Sequence, residues 1–294
     1  MRELVSNASD ALEKCRHEYL AKGEDPGELK VTITTDDAKR QFVIQDTGLG
    51  MSRDDLVANL GTIARSGSKA FVEEQLNAEA EAGAAGASAA SSSSSANIIG
   101  KFGVGFYSAF MVSDRVDVYS STGDGTGWKW SSAGDGSYTL SPCDVDEEGA
   151  EGAAEGKAPK RGTRIVLHVK EADKTVATAG WAVETTLKKY SAFVGFPVTL
   201  NGKRTNDIDA LWTKRQNEVT DEEATAFYRF IAGGALDAPA FRLHFSADAP
   251  LTIRALLFAP SDNPERGFAH RNLEGREGPR TSSDSFIHTR HILY

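Results

Sequence analysis

The residues best suited to chemistry form the hexapeptide Asp-Thr-Gly-Leu-Gly-Met at positions 46–51. It follows an apolar run at 42–44 and precedes a segment of helical periodicity, which predicts a turn between a strand and a helix. Its glycines allow positive φ angles and close approach of a ligand to the backbone. An ionised Asp46 only accepts hydrogen bonds, so it suits an exocyclic amine or a bound water. An ordinary Asp-rich turn has the same composition, so the motif alone leaves both interpretations open.

A second group of polar residues lies on one arc of a helix predicted at 2–22. Apolar residues follow helical spacing on one side of it, and the opposite arc carries Glu3, Asn7, Asp10 and Lys14. A solvated polar face is the ordinary interpretation. However, the Ser, Asn and Asp residues between positions 6 and 10 are weak helix formers in the middle of a helix. Their presence indicates that something other than helix stability selected them.

A third polar segment has glycines at 100, 103 and 105 and precedes a short apolar helix. Backbone N–H groups of such a loop, at a helix N-terminus, can bind phosphate. The chain has no P-loop motif. Gly103-Val104-Gly105 also lacks the third glycine of a dinucleotide fingerprint and follows a serine tract instead of a strand. Together the three segments predict a nucleotide pocket of another type.

The elements that must position these residues follow from periodicity and turn residues. Strands are predicted at 30–35, 41–45, 115–120, 128–131, 138–141, 164–169, 196–200, 241–245 and 251–258, and further helices at 52–63, 181–193 and 220–231. Asn201-Gly202 predicts a hairpin, and capping-box patterns begin the helices at Ser52 and Thr220. Residues 78–96 contain only Ala, Glu, Gly and Ser, which predicts a flexible insertion.

Composition narrows the class of protein. The chain has 294 residues, 40% of them hydrophobic and 26% charged, which is typical of a soluble protein with two domains. A net charge of −9 argues against a nucleic-acid partner, and no apolar run has the length of a membrane span. The charged start of the first helix argues against a signal peptide. Cys15 and Cys143 have neither disulfide nor metal spacing, which favours a reducing intracellular compartment.

Several segments resemble the heat-shock protein 90 family of chaperone ATPases in order and in spacing. They are residues 2–12, 46–51, 60–71, 99–108 and 162–164, within a resemblance that covers roughly residues 2–260. Three further stretches, at 97–120, 200–212 and 249–258, look closest to the mitochondrial branch of the family, with the bacterial branch next. The resemblance implies an α+β fold: a two-layer α/β sandwich with a mainly antiparallel sheet, shared with gyrases, histidine kinases and mismatch-repair ATPases, and then a partial α/β middle domain.

The resemblance also implies cofactors and roles. ATP or ADP and Mg2+ are the expected cofactors. Asp46 would accept a hydrogen bond from the adenine amino group, and Thr163 would support it through water. Asn7 would be the magnesium ligand, and Glu3 would orient and activate the attacking water. The other implied ATP-binding residues are Gly50, Met51, Asn59, Arg65, Gly103, Val104, Gly105 and Phe106. Taken singly, each has an ordinary structural explanation, such as a helix-dipole role for Glu3 or a core role for Phe106.

The family's organisation gives expected domains and partners. We expect an ATP-binding domain at 1–200 with a lid at about 61–100, a linker at 201–215, the start of a middle domain at 216–260 and an irregular tail at 261–294. Family elements before residue 2, the middle-domain arginine that contacts the γ-phosphate and the C-terminal dimerisation domain are expected to be missing, so turnover should be weak. The implied partners are unfolded or partly folded client proteins and co-chaperones. The full-length proteins of the family are expected to form homodimers. The implied compartment is the mitochondrial matrix, with the cytoplasm as the alternative.

Two other functions remain open at this stage. One is a module that binds clients or co-chaperones without nucleotide, which a missing edge strand would favour because its loss could destabilise the pocket. Retention of Glu3, Asn7, Asp46, Gly50 and the loop at Gly103 argues against it. The other is an ATPase of the kinase or gyrase branch, which shares the Asp-x-Gly-x-Gly turn but not the resemblance at 100–110 and 211–258.

Overall fold

The computed structural model describes residues 1–61, 105–146, 156–232, 237–249, 253–261, 288–289 and 292–293. The chain divides into two compact units, residues 1–207 with 288–294, and residues 208–287. The predicted lid, apart from its first residue, and the predicted insertion at 78–96 lie outside the described residues. The domain boundaries expected at 200, 215 and 260 stay predictions.

The first unit is built on an eight-stranded sheet with the order β10-β9-β1-β2-β8-β3-β4-β5. Its strands are β1 (Val31–Asp36), β2 (Gln41–Asp46), β3 (Ser113–Ser121), β4 (Gly127–Ser132), β5 (Thr139–Cys143), β8 (Gly162–Val169), β9 (Val198–Leu200) and β10 (Lys203–Arg204). Every neighbouring pair is antiparallel except β1 and β9, which are parallel. The first unit also has two separate two-stranded sheets, which are β6 (Val145–Asp146) with β7 (Ala158–Pro159) and β13 (His288–Thr289) with β14 (Ile292–Leu293).

Helices form the second layer. They are α1 (Arg2–Lys22), α2 (Arg53–Leu60), α3 (Ala109–Val112), α4 (Lys174–Thr178) and α5 (Gly180–Tyr190), with a 3-10 turn at Gly105–Ser108 before α3. One hydrophobic core joins the apolar stripe of α1 to residues of the central strands, such as Ile33, Phe42 and Val118. The expected α+β fold, a two-layer sandwich on a mainly antiparallel sheet, is therefore confirmed.

Local sequence signals explain most element ends. Ser52 closes a capping box with Asp55 at the start of α2. The predicted Asn201-Gly202 hairpin joins β9 to β10, with φ angles of 50° and 80° at the two residues. In contrast, the helix predicted to reach residue 193 ends at Tyr190. Residues 192–194 and 196 are buried in the first unit, so packing of this connection overrides helical periodicity.

The second unit contains α6 (Asp221–Ile231) and a hairpin of β11 (Phe241–Ala247) with β12 (Ile253–Ala259). Its aromatic core brings the Phe227 and Tyr228 rings to 6.2 Å and 5.6 Å from the Phe258 ring. Thr220 caps α6 as its sequence predicts. Among the described residues, no helix combines the length and the apolar character that a membrane span requires.

The packing of α1 gives a test of this fold. Leu12 is fully buried in the core, whereas Leu20 on the same helix is 66% exposed. Replacing Leu12 by Ala should lower the free energy of unfolding of the first unit by about 2–5 kcal/mol, because a cavity remains. The matched change Leu20→Ala should alter it by less than about 0.5 kcal/mol. Urea denaturation followed by circular dichroism measures both, and equal effects would contradict the assigned face of α1.

Candidate functional site

Asp46, the last residue of β2, places a carboxylate between the sheet and α1. It is 6% exposed, and its Oδ1 accepts hydrogen bonds from the backbone N–H of Gly48 at 2.9 Å and of Thr163 at 3.3 Å. No described residue donates a hydrogen bond to Oδ2. Burial raises the pKa of Asp46 to about 7, while the two backbone bonds lower it by less.

Glycines shape the turn around this carboxylate. Gly50 has φ +73°, as predicted, and a Cβ there would overlap the carbonyl oxygen of Ser121. Gly48 does not have the predicted positive φ; a Cβ there would lie 2.9 Å from the Ala11 Cβ. Gly162 has φ +114°, and a Cβ there would overlap the Asp46 carbonyl oxygen. Because these glycines have no side chain, the turn packs closely against β3, β8 and α1.

Ser120 connects the turn to the strands, and sequence reasoning missed it. The residue is fully buried near the end of β3. Its Oγ accepts from the Met51 backbone N–H at 2.8 Å and lies 2.9 Å from both the Gly162 carbonyl oxygen and the Thr163 hydroxyl. The available signal was alternation, because Ser120 continues the row of Val116 and Val118 with a polar residue. A polar side chain in a buried row needs partners.

The N-terminal turns of α1 carry Glu3 and Asn7 one helical turn apart, as predicted. Asn7 is exposed, and its side chain has no hydrogen bond to any other described residue. Glu3 is 38% exposed, and its Oε1 accepts from Nε and Nη2 of Arg2 at 3.0 Å and 2.8 Å. A Cβ at Gly105 would lie 2.7 Å from the Glu3 Oε2. The predicted phosphate loop therefore ends beside the Glu3 carboxylate.

The rest of the polar arc of α1 is not a solvated face. Asp10 is buried at 1% exposure, and burial lowers the pKa of Lys14, against the opposing charges of Asp10 and Glu18. These residues bond with neighbours, so the helix holds part of its polar arc inside the protein. The structure therefore contradicts the ordinary interpretation for this part of the arc, and it explains why weak helix formers are tolerated here.

The remaining predicted site residues lie in different environments, and some of them lie outside the described residues. Phe106 is buried at 7% exposure, with edge-on contacts to Tyr107 and Trp130, so its ring belongs to the core. Asn59 and Met51 are half-buried, on α2 and in the turn before it. Arg65, Gly103 and Val104 lie outside the described residues. Within the described part of the chain, no group of three or more His, Cys, Asp or Glu side chains could hold a metal ion.

Comparisons with known proteins show which protein families the chain is related to. Residues 1–135 match the family of histidine kinase-, DNA gyrase B- and HSP90-like ATPases, and residues 200–277 match the Hsp90 protein family. Mitochondrial heat shock protein 75 kDa from Bos taurus is 42% identical over 275 residues, which are 93% of this chain and 35% of that protein. The chaperone protein HtpG of Desulfitobacterium hafniense is 43% identical over 272 residues, which are 90% of this chain and 40% of that protein.

A third relative is the mitochondrial TNF receptor-associated protein 1 homolog of Dictyostelium discoideum. It is 40% identical over 274 residues, 90% of this chain and 34% of that protein. The chain thus spans about two-fifths or less of the length of these relatives, and mitochondrial and bacterial proteins match it equally well. The chain belongs to the heat-shock protein 90 family, and its first unit has the ATPase fold that this family shares with histidine kinases and DNA gyrase B.

Proposed function

We propose that this chain binds ATP or ADP with Mg2+ at Asp46 and the N-terminal turns of α1 and hydrolyses ATP slowly, as the nucleotide-binding part of a molecular chaperone. The observation that carries the proposal is the Asp46 carboxylate: it is buried, only its Oδ1 bonds to described residues, and its pKa is raised to about 7. Such a group is costly to keep inside a fold unless it serves a ligand. An exocyclic amine donates the hydrogen bond that the ionised carboxylate lacks.

Asn7 is the residue that would hold the magnesium ion. Mg2+ takes oxygen ligands and is usually bound by few protein groups together with phosphates and waters. Asn7 fits this pattern because it is exposed and its amide oxygen makes no hydrogen bond to a described residue. When bound, the ion neutralises charge on the phosphates.

Glu3 would orient the attacking water and accept its proton. It shares the face of α1 with Asn7 and lies next to Gly105, where the phosphate loop ends. Its Oε1 is held by Arg2, which leaves Oε2 for the water.

The wider function follows from the relatives. Their names describe heat-shock and chaperone proteins. For the whole protein we therefore propose that it binds unfolded or partly folded clients and co-chaperones and that it assembles into homodimers. The mitochondrial matrix is the proposed compartment, with the cytoplasm as the alternative that the bacterial relatives support.

One observation supports the protein-binding part of the alternative, which is a binding module without nucleotide. The outward face of the β11–β12 hairpin exposes Phe241, Leu243, Phe245, Ile253 and Leu257. An exposed apolar face of this kind is typical of a surface that binds other proteins. A nucleotide titration separates the two functions, because the alternative expects no binding.

Nucleotide binding is tested by Asp46→Asn. The amide puts a donor where the carboxylate accepts, so the affinity for Mg-ADP should fall by about 100-fold or more, as for a buried hydrogen bond to a charged group. Isothermal titration calorimetry measures it beside Asp54→Asn, whose carboxylate on α2 is 91% exposed and should leave the affinity unchanged. A folded wild-type chain that gives no heat of binding would contradict the proposed function and favour the alternative.

The stability of the chain should depend on pH through the same residue. The folded-state pKa of Asp46 lies near 7, above the usual value of 3.8, so the folded chain binds more protons between about pH 4 and 7. Its contribution to stability is thus present below pH 4 and is lost as the pH rises through 7. Asp46→Asn should therefore stabilise the chain relative to wild type at pH 8 but not at pH 4.5. Thermal melts measure this, and a difference independent of pH would contradict it.

Turnover tests the role of Glu3. Glu3→Gln keeps the size of the side chain but removes the base, so ATP hydrolysis should fall by about 100-fold or more. The affinity for ADP should change less than about twofold, because the proposed role belongs to the chemical step. Glu24→Gln, at an exposed position just after α1, is the matched control. A hydrolysis rate that Glu3→Gln leaves unchanged would remove the assigned role.

A further inference from the structure

The hydroxyl of Ser120 connects three structural elements next to the Asp46 turn. It belongs to β3, contacts the Met51 backbone N–H from the turn after β2, and contacts Gly162 and Thr163 from β8. All three heavy-atom distances lie between 2.8 Å and 2.9 Å. Because the side chain is fully buried, water cannot replace a lost partner, and a polar group left without a hydrogen bond would cost free energy.

Counting protons fixes the direction of each hydrogen bond. A serine hydroxyl has one proton to donate and two lone pairs to accept with. The Met51 N–H can only donate, and the Gly162 carbonyl oxygen can only accept. All three contacts are satisfied together only if Ser120 donates to Gly162 and the Thr163 hydroxyl donates to Ser120. In that arrangement the Ser120 oxygen is saturated.

The consequence falls on Thr163. Its single hydroxyl proton is committed to Ser120, so its oxygen offers only lone pairs to anything else nearby. Its backbone N–H is also committed, because it donates to the Asp46 Oδ1 at 3.3 Å. An ionised Asp46 likewise only accepts. Above its pKa of about 7 Asp46 is ionised, and the edge that it forms with Thr163 then presents acceptors alone, which match a ligand group that donates.

We propose that Ser120 is a positioning residue that determines base selectivity: by holding the Thr163 proton and the Met51 backbone, it keeps this edge acceptor-only and thereby selects a 6-amino purine over a 6-keto purine. The inference rests on the proposed function, since it concerns the same nucleotide site. Without the Ser120 hydroxyl, the Thr163 proton is released and can be donated to a keto oxygen. The turn at Gly50 and Met51 also loses its tie to β3.

The test compares, at pH 8.5, where Asp46 is ionised, the affinities for ADP and for inosine 5′-diphosphate, which carries a keto oxygen in place of the amino group. Ser120→Ala should lower the ratio of the two affinities by about tenfold, as expected for one buried interaction. Ser120→Thr restores a hydroxyl and should bring the ratio back. Ser132→Ala is the matched control, because Ser132 on β4 also donates one bond and accepts another but holds only the turn at 134–137. Calorimetry gives the affinities, and thermal melts give the stability of each variant.

The ratio separates positioning from general loss of structure, which would weaken both ligands alike. A ratio that Ser120→Ala leaves unchanged, or that Ser132→Ala lowers equally, would overturn the inference while ADP binding by wild type still supports the proposed function. If Ser120→Ala does not fold, Thr163→Val takes its place. This change removes the Thr163 oxygen as an acceptor, so it should also lower the ratio of the affinity for ADP to that for inosine 5′-diphosphate. An unchanged ratio would again overturn the inference. A folded wild-type chain that binds neither ligand would instead overturn the proposed function itself.

Discussion

A buried carboxylate with too few hydrogen bonds is the constraint on which the site depends. Asp46 ends a central strand, and the N–H groups of Gly48 and Thr163 satisfy one oxygen only. Burial of a charge costs free energy that partial hydrogen bonding does not offset. The rest of the first unit keeps this group in place: β2 and β8 fix its register, and Gly162 lets the two strands approach at the end of the sheet.

Helix α1 turns this single acceptor into an extended site. At its N-terminal end Glu3 lies beside Gly105, and two turns later Ala11 packs against Gly48 in the Asp46 turn. Eight residues of helix separate these points, about 12 Å along the axis. Because the apolar stripe of α1, with Leu12 at its centre, is packed in the core, the helix holds the proposed base-recognition end and the proposed phosphate end at a fixed separation. Rigid elements of this kind position functional groups better than loops.

The sequence predicts the elements better than the connections between them. Periodicity places α1 and the central strands, and capping residues such as Ser52 mark helix starts, because these signals are local. The Asp46 turn is also found, although Gly48 serves packing and has no positive φ. Alternation marked Ser120 as a polar residue in a buried row, but its partners lie in the turn after β2 and on β8, and a single sequence does not show which of these segments are neighbours.

Titration of the Asp46 carboxyl itself shows whether this residue is a buried acceptor kept for an adenine amino group. Carbon-13 NMR of labelled aspartate carboxyls, assigned with Asp46→Asn, would follow this one group with and without saturating Mg-ADP. We expect a pKa near 7 for Asp46 in the free chain and a clear fall on binding, because a hydrogen-bond donor stabilises the ionised form. A pKa near the usual 3.8 in the free chain, or one that bound ADP leaves unchanged, would contradict it.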